Sequence, residues 1–219
     1  MPGPPRAPAE PVSELTTNRL SVYLRCLTHL EAVGVRSVSS NTLAERFHLN
    51  AAQIRKDLAY FGEFGTRGVG YHVVDLREHL RHILGLDRGM RMAIMGAGNL
   101  GLALADYPGF REDGFRVVAL FDTDAGKIGG RSRTGVPIYD VNELTPIVRR
   151  EQIRIAAVAV PAVAAQQVVD AVVAARVRAI LNFSPRAVKV PRGVKLKSVD
   201  LTVSLESLSF HLARGDDHE

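Results

Sequence analysis

Gly96-Ala97-Gly98-Asn99-Leu100-Gly101 follows directly on the apolar run Met92 to Met95. Three glycines at this spacing, between a strand and a helix, suit a turn whose backbone N–H groups can approach a pyrophosphate. Gly96 allows the tight turn, Gly98 the approach of the ligand, and Gly101 the close packing of helix on strand. The helix N-terminus adds partial positive charge toward the phosphates. A second apolar run ends in Phe121-Asp122, at the distance expected for a carboxylate that accepts from ribose hydroxyls. Asp122 repels a 2′-phosphate, which favours NAD(H) over NADP(H). Lys127 complicates that preference, and Asp124 reads as a turn cap.

Two further strand ends face the same crevice by the switch-point rule. Val160-Pro161-Ala162 opens onto a helix, and Asn182-Phe183-Ser184-Pro185 closes the next strand. Phe183 either lies beside a nicotinamide ring or packs in the core; the pattern leaves both open. The expected cofactor-facing residues are therefore Gly96, Ala97, Gly98, Asn99, Leu100 and Gly101 of the turn, with Asp122, Lys127, Pro161, Asn182 and Phe183 around it.

A different chemistry is written into Asn50 to Gly62. Asn50 caps a helix over 51–61, Ile54, Leu58 and Phe61 form its buried stripe, and Gly62 stops it. Gln53, Arg55, Lys56, Ala59 and Tyr60 are left toward solvent or a ligand. Arg55 and Lys56 leave the helix roughly 100° apart, so one suits a phosphate and the other a base edge. Tyr60 can donate to a phosphate. The glycine-rich stretch Gly65 to Val74 predicts a hairpin, with Tyr71, Val73 and Val74 favouring strand and Arg67 at the tip suited to a narrow minor groove. Three helices followed by such a hairpin is the order of a winged helix. Ser40, Gln53, Arg55, Lys56, Tyr60 and Arg67 are the expected DNA-contacting residues. The bland alternative for Arg55, Lys56 and Asp57 is a solvated helix face.

These residues need elements to hold them. Leu20, Leu24, Leu27 and Leu30 recur with helical period and predict a helix over 17–33, ended by Gly34. Ser39 or Ser40 caps a second helix through Phe47, with Leu43, Ala44 and Phe47 inward. Asp75 caps a linking helix to Leu84. Beyond Met90 short apolar strands alternate with helices: strands at 92–95, 117–121, 155–160, 179–183 and 194–199, helices at 100–107, 141–150 and 162–175. A closing helix over 201–213 carries Leu201, Leu205, Leu208 and Leu212 on one side, with Val203 and Phe210 widening its apolar surface. The fold class is α/β: an N-terminal winged helix, then a Rossmann-like parallel sheet, then a C-terminal helix. The expected organisation is a disordered tail at 1–14, a DNA-binding domain at 15–86, an NAD(H)-binding domain at 87–200, a dimerisation helix at 201–214 and an acidic tail at 215–219.

The chain has 219 residues, 46% of them apolar, enough for two small cores. No run reaches the roughly 18 to 20 apolar residues of a membrane helix, and the Pro- and Ala-rich start lacks the apolar core of a signal peptide. The single cysteine, Cys26, excludes an internal disulfide, sits in a helical apolar pattern, and fits a reducing cytoplasm. A net charge of +5 permits nucleic-acid binding without demanding it. His79 and His82 lie three apart, but no ligand set completes a zinc site.

The chain resembles the bacterial Rex redox-sensing repressors from about Leu15 to Leu212. The resemblance rests on Ile54 to Gly62, Gly68-Val69-Gly70-Tyr71, Gly96 to Gly101, Val160-Pro161, Leu181-Asn182-Phe183 and Ser198-Val199-Asp200-Leu201. It implies a homodimer whose winged helices bind palindromic double-stranded operator DNA and release it when NADH binds. It implies Lys56 as base reader, Arg67 in the minor groove and Arg55 on a phosphate. It also implies a closing helix inserted between the partner subunit's two domains, and a redox-dependent polar link made by Arg25, Tyr107 and Asp200 between subunits.

Two other readings compete. An NAD-dependent dehydrogenase with an appended helical domain needs an acid or base near a carbonyl. The second half offers only His211 and His218 as histidines, and nothing arranges Lys189, Lys195 or Lys197. A CoA- or nucleotide-binding module of similar architecture is the other; Asp122 argues against it without excluding ADP-containing ligands.

Overall fold

The computed structural model describes residues 12–66 and 68–213. The expected tails fall largely outside these, at 1–11 and 214–219, as does Arg67. The chain divides into two compact units between Arg88 and Gly89.

The first unit begins with α1 (Glu14–Ala32), three residues earlier than the apolar period alone predicts. The reason is a cap: the Ser13 hydroxyl accepts from the Thr16 N–H at 3.1 Å. After β1 (Ser37–Val38) come α2 (Ser40–Phe47) and α3 (Ala51–Phe61), capped by Ser39 and Asn50 through the N–H groups of Thr42 and Gln53. β2 (Tyr71–His72) leads straight into α4 (Val73–Ile83). Leu20, Leu27, Leu30, Ile54, Leu58, Leu76 and Leu80 form the core of this unit, each at most 2% exposed. Full burial of eight such side chains, Val73 included, is the main source of its stability.

Val73 departs from expectation. Its β-branched side chain suggests strand, yet it opens α4, fully buried, with its N–H donated to the Arg36 carbonyl. Burial overrides propensity here, and Asp75 sits within the first turn, pairing with His72 at 3.4 Å rather than capping. The hairpin also differs. Thr66 and Gly70 exchange backbone hydrogen bonds at 3.0 Å to close a tight turn, and the returning strand β2 pairs antiparallel with β1. Gly70 has φ +92°, and a Cβ there would lie 2.5 Å from the Val38 carbonyl oxygen, so only glycine fits.

The second unit is a six-stranded sheet of β3 (Met90–Met95), β4 (Phe115–Asp122), β5 (Ile138–Asp140), β6 (Ile155–Val158), β7 (Ala179–Asn182) and β8 (Lys195–Ser198). Every pairing is parallel, in the spatial order β5-β4-β3-β6-β7-β8. Counted within the unit this is 3-2-1-4-5-6, the doubly wound Rossmann order. Side chains alternate across it: Met92, Ile94 and Leu120 pack on one face, Ala93, Met95 and Phe121 on the other.

The helices are α5 (Asn99–Ala105), α6 (Pro108–Glu112), α7 (Leu144–Arg150), α8 (Ala165–Ala174) and α9 (Leu201–Ala213). α5 ends before Tyr107, and the short α6 and β5 carry no periodic signal in the sequence. The expected helix over 141–150 is split into a 3₁₀ turn, Val141–Glu143, and α7. Pro146 lies at the third position of α7, where a missing N–H is harmless; further into a longer helix it would break a hydrogen bond. α9 leaves its apolar side chains open, with Leu205 64%, Leu208 61% and Leu212 81% exposed. Among the described residues, no helix is long and apolar enough to cross a membrane.

Candidate functional site

The sheet order reverses between β3 and β6, which opens a crevice beyond their carboxyl ends. The glycine turn stands there. Gly96, at φ +102°, donates its N–H to the Phe121 carbonyl at 2.8 Å, and a Cβ on it would lie 2.6 Å from the Ala159 carbonyl oxygen. A Cβ on Gly101 would meet the Gly96 carbonyl oxygen at 1.8 Å. The chain's own packing therefore demands glycine at both positions. Gly98 is different: its φ of −81° suits any residue, and a Cβ there would meet nothing within 4 Å. Nothing internal requires the missing side chain, so the open space is available to a ligand that must come close to the backbone.

Asp122 ends β4 beside this turn. One carboxylate oxygen accepts from the Ala97 N–H at 2.8 Å and from Lys127 Nζ at 3.2 Å; the other accepts from the N–H groups of Thr123 and Asp124. Burial opposes its charge, but the hydrogen bonds from Asp124, Ala97 and Lys127 outweigh it and hold the carboxyl below the usual range. Lys127 also lies 3.7 Å from the Asp124 carboxylate, so two anions engage it. Asp124 caps the turn by accepting from the Gly126 N–H at 2.9 Å. Ala97 is 1% exposed and its N–H is taken by Asp122, while Gly98, Asn99 and Leu100 are open to solvent.

Pro161 is exposed on the loop after β6, and Val163 beyond it is 87% exposed. Phe183 is half-buried and packs against the cluster that Met92, Ile94, Ala97 and Leu120 form on one face of the sheet. Asn182 is wholly buried; its amide donates to the carbonyls of Ser184 and Arg186, and its carbonyl accepts from the Ser184 N–H. It builds the loop that carries Phe183. Among the described residues no cluster of histidine, cysteine and carboxylates could hold a metal ion.

In the first unit α3 presents Arg55, Lys56, Ala59 and Tyr60 to solvent. The Arg55 guanidinium donates to the Ser40 hydroxyl at 2.8 Å and to Asn41 Oδ1 at 3.3 Å, which places it over the start of α2. A groove of about 510 Å³ runs between α3 and the wing turn, past Ser40, Arg55, Ala59 and Gly68. Gln53 is half-buried, and its amide donates to Asp57 at 2.7 Å. Asp57 itself is 4% exposed, so it is no part of a solvated face. Its place in the sequence carried the signal: it lies three residues after Ile54 and four before Phe61, on the apolar stripe.

Known proteins share both halves. Residues 11–59 match the family model for a putative DNA-binding protein N-terminus, and residues 87–186 match the CoA binding domain. A redox-sensing transcriptional repressor Rex of Carboxydothermus hydrogenoformans is 48% identical over 203 residues, 93% of this chain and 97% of its own. That of Syntrophomonas wolfei is 52% identical over 202 residues, 92% and 96% of the two chains. The chain belongs to the Rex family of redox-sensing transcriptional repressors. Among solved structures, the Rex-family repressor RSP with β-NAD+ and operator DNA superposes at TM-score 0.88, with 37% identity over 95% of this chain and all of that one. RSP with β-NADH gives 0.83, at 37% identity over 94% and 96%. The Rex relatives are repressors, not dehydrogenases.

The residues that the Rex resemblance assigns to the inter-subunit link are all on the surface. Arg25 is exposed on α1. Tyr107, 56% exposed, precedes α6 and stands edge-on to Phe110 at 5.2 Å. Asp200 caps α9 by accepting from the Thr202 N–H at 2.9 Å. Sequence reasoning missed the neighbour of Tyr107. Asp106 accepts from the hydroxyls of Ser132 and Thr134 and from the N–H groups of Arg133 and Thr134, pinning the 132–134 loop. Burial opposes its charge, and these donors hold its carboxyl down at about 2.

Proposed function

We propose that this chain represses transcription as a cytoplasmic homodimer bound to a palindromic operator, and leaves the DNA when NADH fills the crevice beside Gly98. The observation that carries the reading is the contrast among the three glycines. The fold needs Gly96 and Gly101, whereas the bare backbone at Gly98 serves only something that docks on it. The same chain presents Arg55 and Lys56 on an exposed helix face, and RSP has been captured both with operator DNA and with NADH.

In this reading Gly98, Asn99 and Leu100 receive the pyrophosphate, Asp122 takes the adenosine ribose, and Pro161 and Phe183 border the nicotinamide. Asn182 acts by shaping the Phe183 loop. NADH and NAD+ differ by one positive charge on that ring, and an apolar neighbour such as Phe183 disfavours the cation. Lys56 reads a base edge, while Arg55, Ser40 and Tyr60 meet phosphates and Arg67 enters the minor groove. α9 pairs two chains, and Arg25, Tyr107 and Asp200 meet across them.

Release follows from linkage: NADH must prefer the arrangement that cannot span both half-sites, and DNA must weaken NADH by the same factor, typically 5- to about 150-fold. The test is an anisotropy titration on duplexes selected from random DNA by this protein, at fixed salt, with NADH, NAD+, NADPH and CoA as separate arms. NADH alone should release the DNA strongly. An operator affinity unmoved by NADH refutes the reading, and release by CoA instead assigns the crevice to the CoA-binding class.

A further inference from the structure

Asp57 is a carboxylate placed where the recognition helix would be expected to carry an apolar residue. It lies on the buried stripe of α3 with Ile54, Leu58 and Phe61, at 4% exposure. Four donors converge on it. Arg19 Nε and Nη2 reach its two oxygens at 2.5 and 2.8 Å, Tyr23 Oη donates at 3.0 Å, and Gln53 Nε2 at 2.7 Å. Arg19 and Tyr23 are four residues apart on α1, so they share one face of that helix. Burial opposes the charge on Asp57, but the bonds from Arg19, Gln53 and Tyr23 hold it ionised.

Stability is a poor reason for this arrangement. A buried ion pair seldom outperforms apolar side chains of the same volume, because desolvation consumes the Coulombic gain. Geometry is a better reason. Leucine in this place could pack at several rotations of α3, whereas a carboxylate met by a forked guanidinium and a phenol has one. The adjacent residue is Lys56, and the cavity that opens here is lined by Arg19, Gln53, Lys56 and Tyr60. An ionised carboxylate only accepts, so Gln53 must turn its NH2 group inward and keep its carbonyl oxygen for other partners. An acceptor on the reading helix suits the amino groups of cytosine or adenine.

We propose that Asp57 is the positioning residue for base recognition: tied to Arg19 and Tyr23, it fixes the rotation of α3 and orients Gln53 so that its carbonyl oxygen reads a base amino group. This rests on the operator-binding reading above. The experiment is selection from random-sequence DNA, followed by affinities of single-base variants of the selected duplex, for wild type, Asp57→Asn, Gln53→Ala and Lys56→Ala.

Asparagine can face Gln53 with either its carbonyl or its amide, so the glutamine loses its fixed polarity. Asp57→Asn should then lose roughly tenfold preference at the base pair where Gln53→Ala loses it, with little further loss in the double variant. Lys56→Ala should relax a different base pair. A merely structural role would weaken all duplexes equally, and that uniform loss overturns the proposal. If Asp57→Asn fails to fold by circular dichroism, Tyr23→Phe and Arg19→Lys each weaken the anchorage and replace it. The same base pair must lose preference severalfold, and an unchanged profile in both is equally fatal. A wild-type protein without any preferred duplex refutes the operator reading itself.

Discussion

Replacing Gly98 by valine separates the fold from the ligand. In the unliganded chain the added Cβ meets nothing within 4 Å, and φ −81° is ordinary for a β-branched residue. The weaker N-cap of α5 costs about 1 kcal/mol, which lowers the melting temperature by about 2–4 °C for a chain of this size. For the ligand the change is severe. Overpacking against a bound pyrophosphate costs about 1–3 kcal/mol, and pushing it away from the backbone N–H groups forfeits about 1.5–3 kcal/mol for each charge-assisted hydrogen bond broken. NADH affinity should fall by roughly 100- to 1,000-fold, while operator affinity without NADH stays at the wild-type value. Calorimetry reads the first quantity and anisotropy the second. Gly101→Ala is the control: its Cβ would sit 1.8 Å from the Gly96 carbonyl oxygen, so it should damage the fold before the site. A Gly98→Val protein that binds NADH within threefold of wild type refutes the assignment of the open space.

Lys56→Ala should cost about 1–3 kcal/mol on the selected operator and far less on a scrambled duplex, read as the ratio of the two affinities at one salt concentration. Leu205→Asp combined with Leu208→Asp should shift sedimentation from dimer to monomer, because each leucine buried on association contributes about 1.5–3 kcal/mol; a dimer that survives both changes shows that α9 does not hold the two chains together. Asp106 lies well below the ordinary carboxylate value, at about 2. Its contribution is therefore fully present above about pH 4 and lost as pH falls toward 2. Partial exposure limits it to at most about 2 kcal/mol. Urea unfolding of Asp106→Asn should show lower stability than wild type at pH 7 and a gap mostly closed by pH 2, where the carboxyl is about half protonated; an undiminished gap at pH 2 contradicts the ionic origin.

Where one local signal dominated, the sequence was readable. Asn50 and Gly62 bracket α3 at the expected residues because a cap and a stop act on their nearest neighbours. α9 keeps its expected bounds through an unbroken helical period. Errors arose where distant packing decided. Val73 joins α4 because the core takes its side chain, and β5 is a three-residue strand recognisable only from its pairing with β4. The site shows the same division. The glycine spacing points to the turn, but only the neighbours in space reveal that Gly98 alone is unconstrained. Asn182 reads as a polar strand end, yet its amide is spent on the carbonyls of Ser184 and Arg186 and on the Ser198 hydroxyl. Asp106 depends on donors 26 to 28 residues away, beyond any local pattern, and Asp57, whose place on the stripe was legible, takes its Arg19 and Tyr23 partners from 38 and 34 residues away.

The pairing of Lys127 with Asp122 and Asp124 bears on how such a chain could change over generations. In the proposed reading, removing the Asp122 carboxylate takes away the group that rejects a phosphorylated ribose and, in the same event, leaves Lys127 with one anionic neighbour, Asp124, instead of two. On that reading a single substitution at the end of β4 should move the chain's preference toward the phosphorylated cofactor. The NADPH-to-NADH affinity ratio of Asp122→Ser measures that shift.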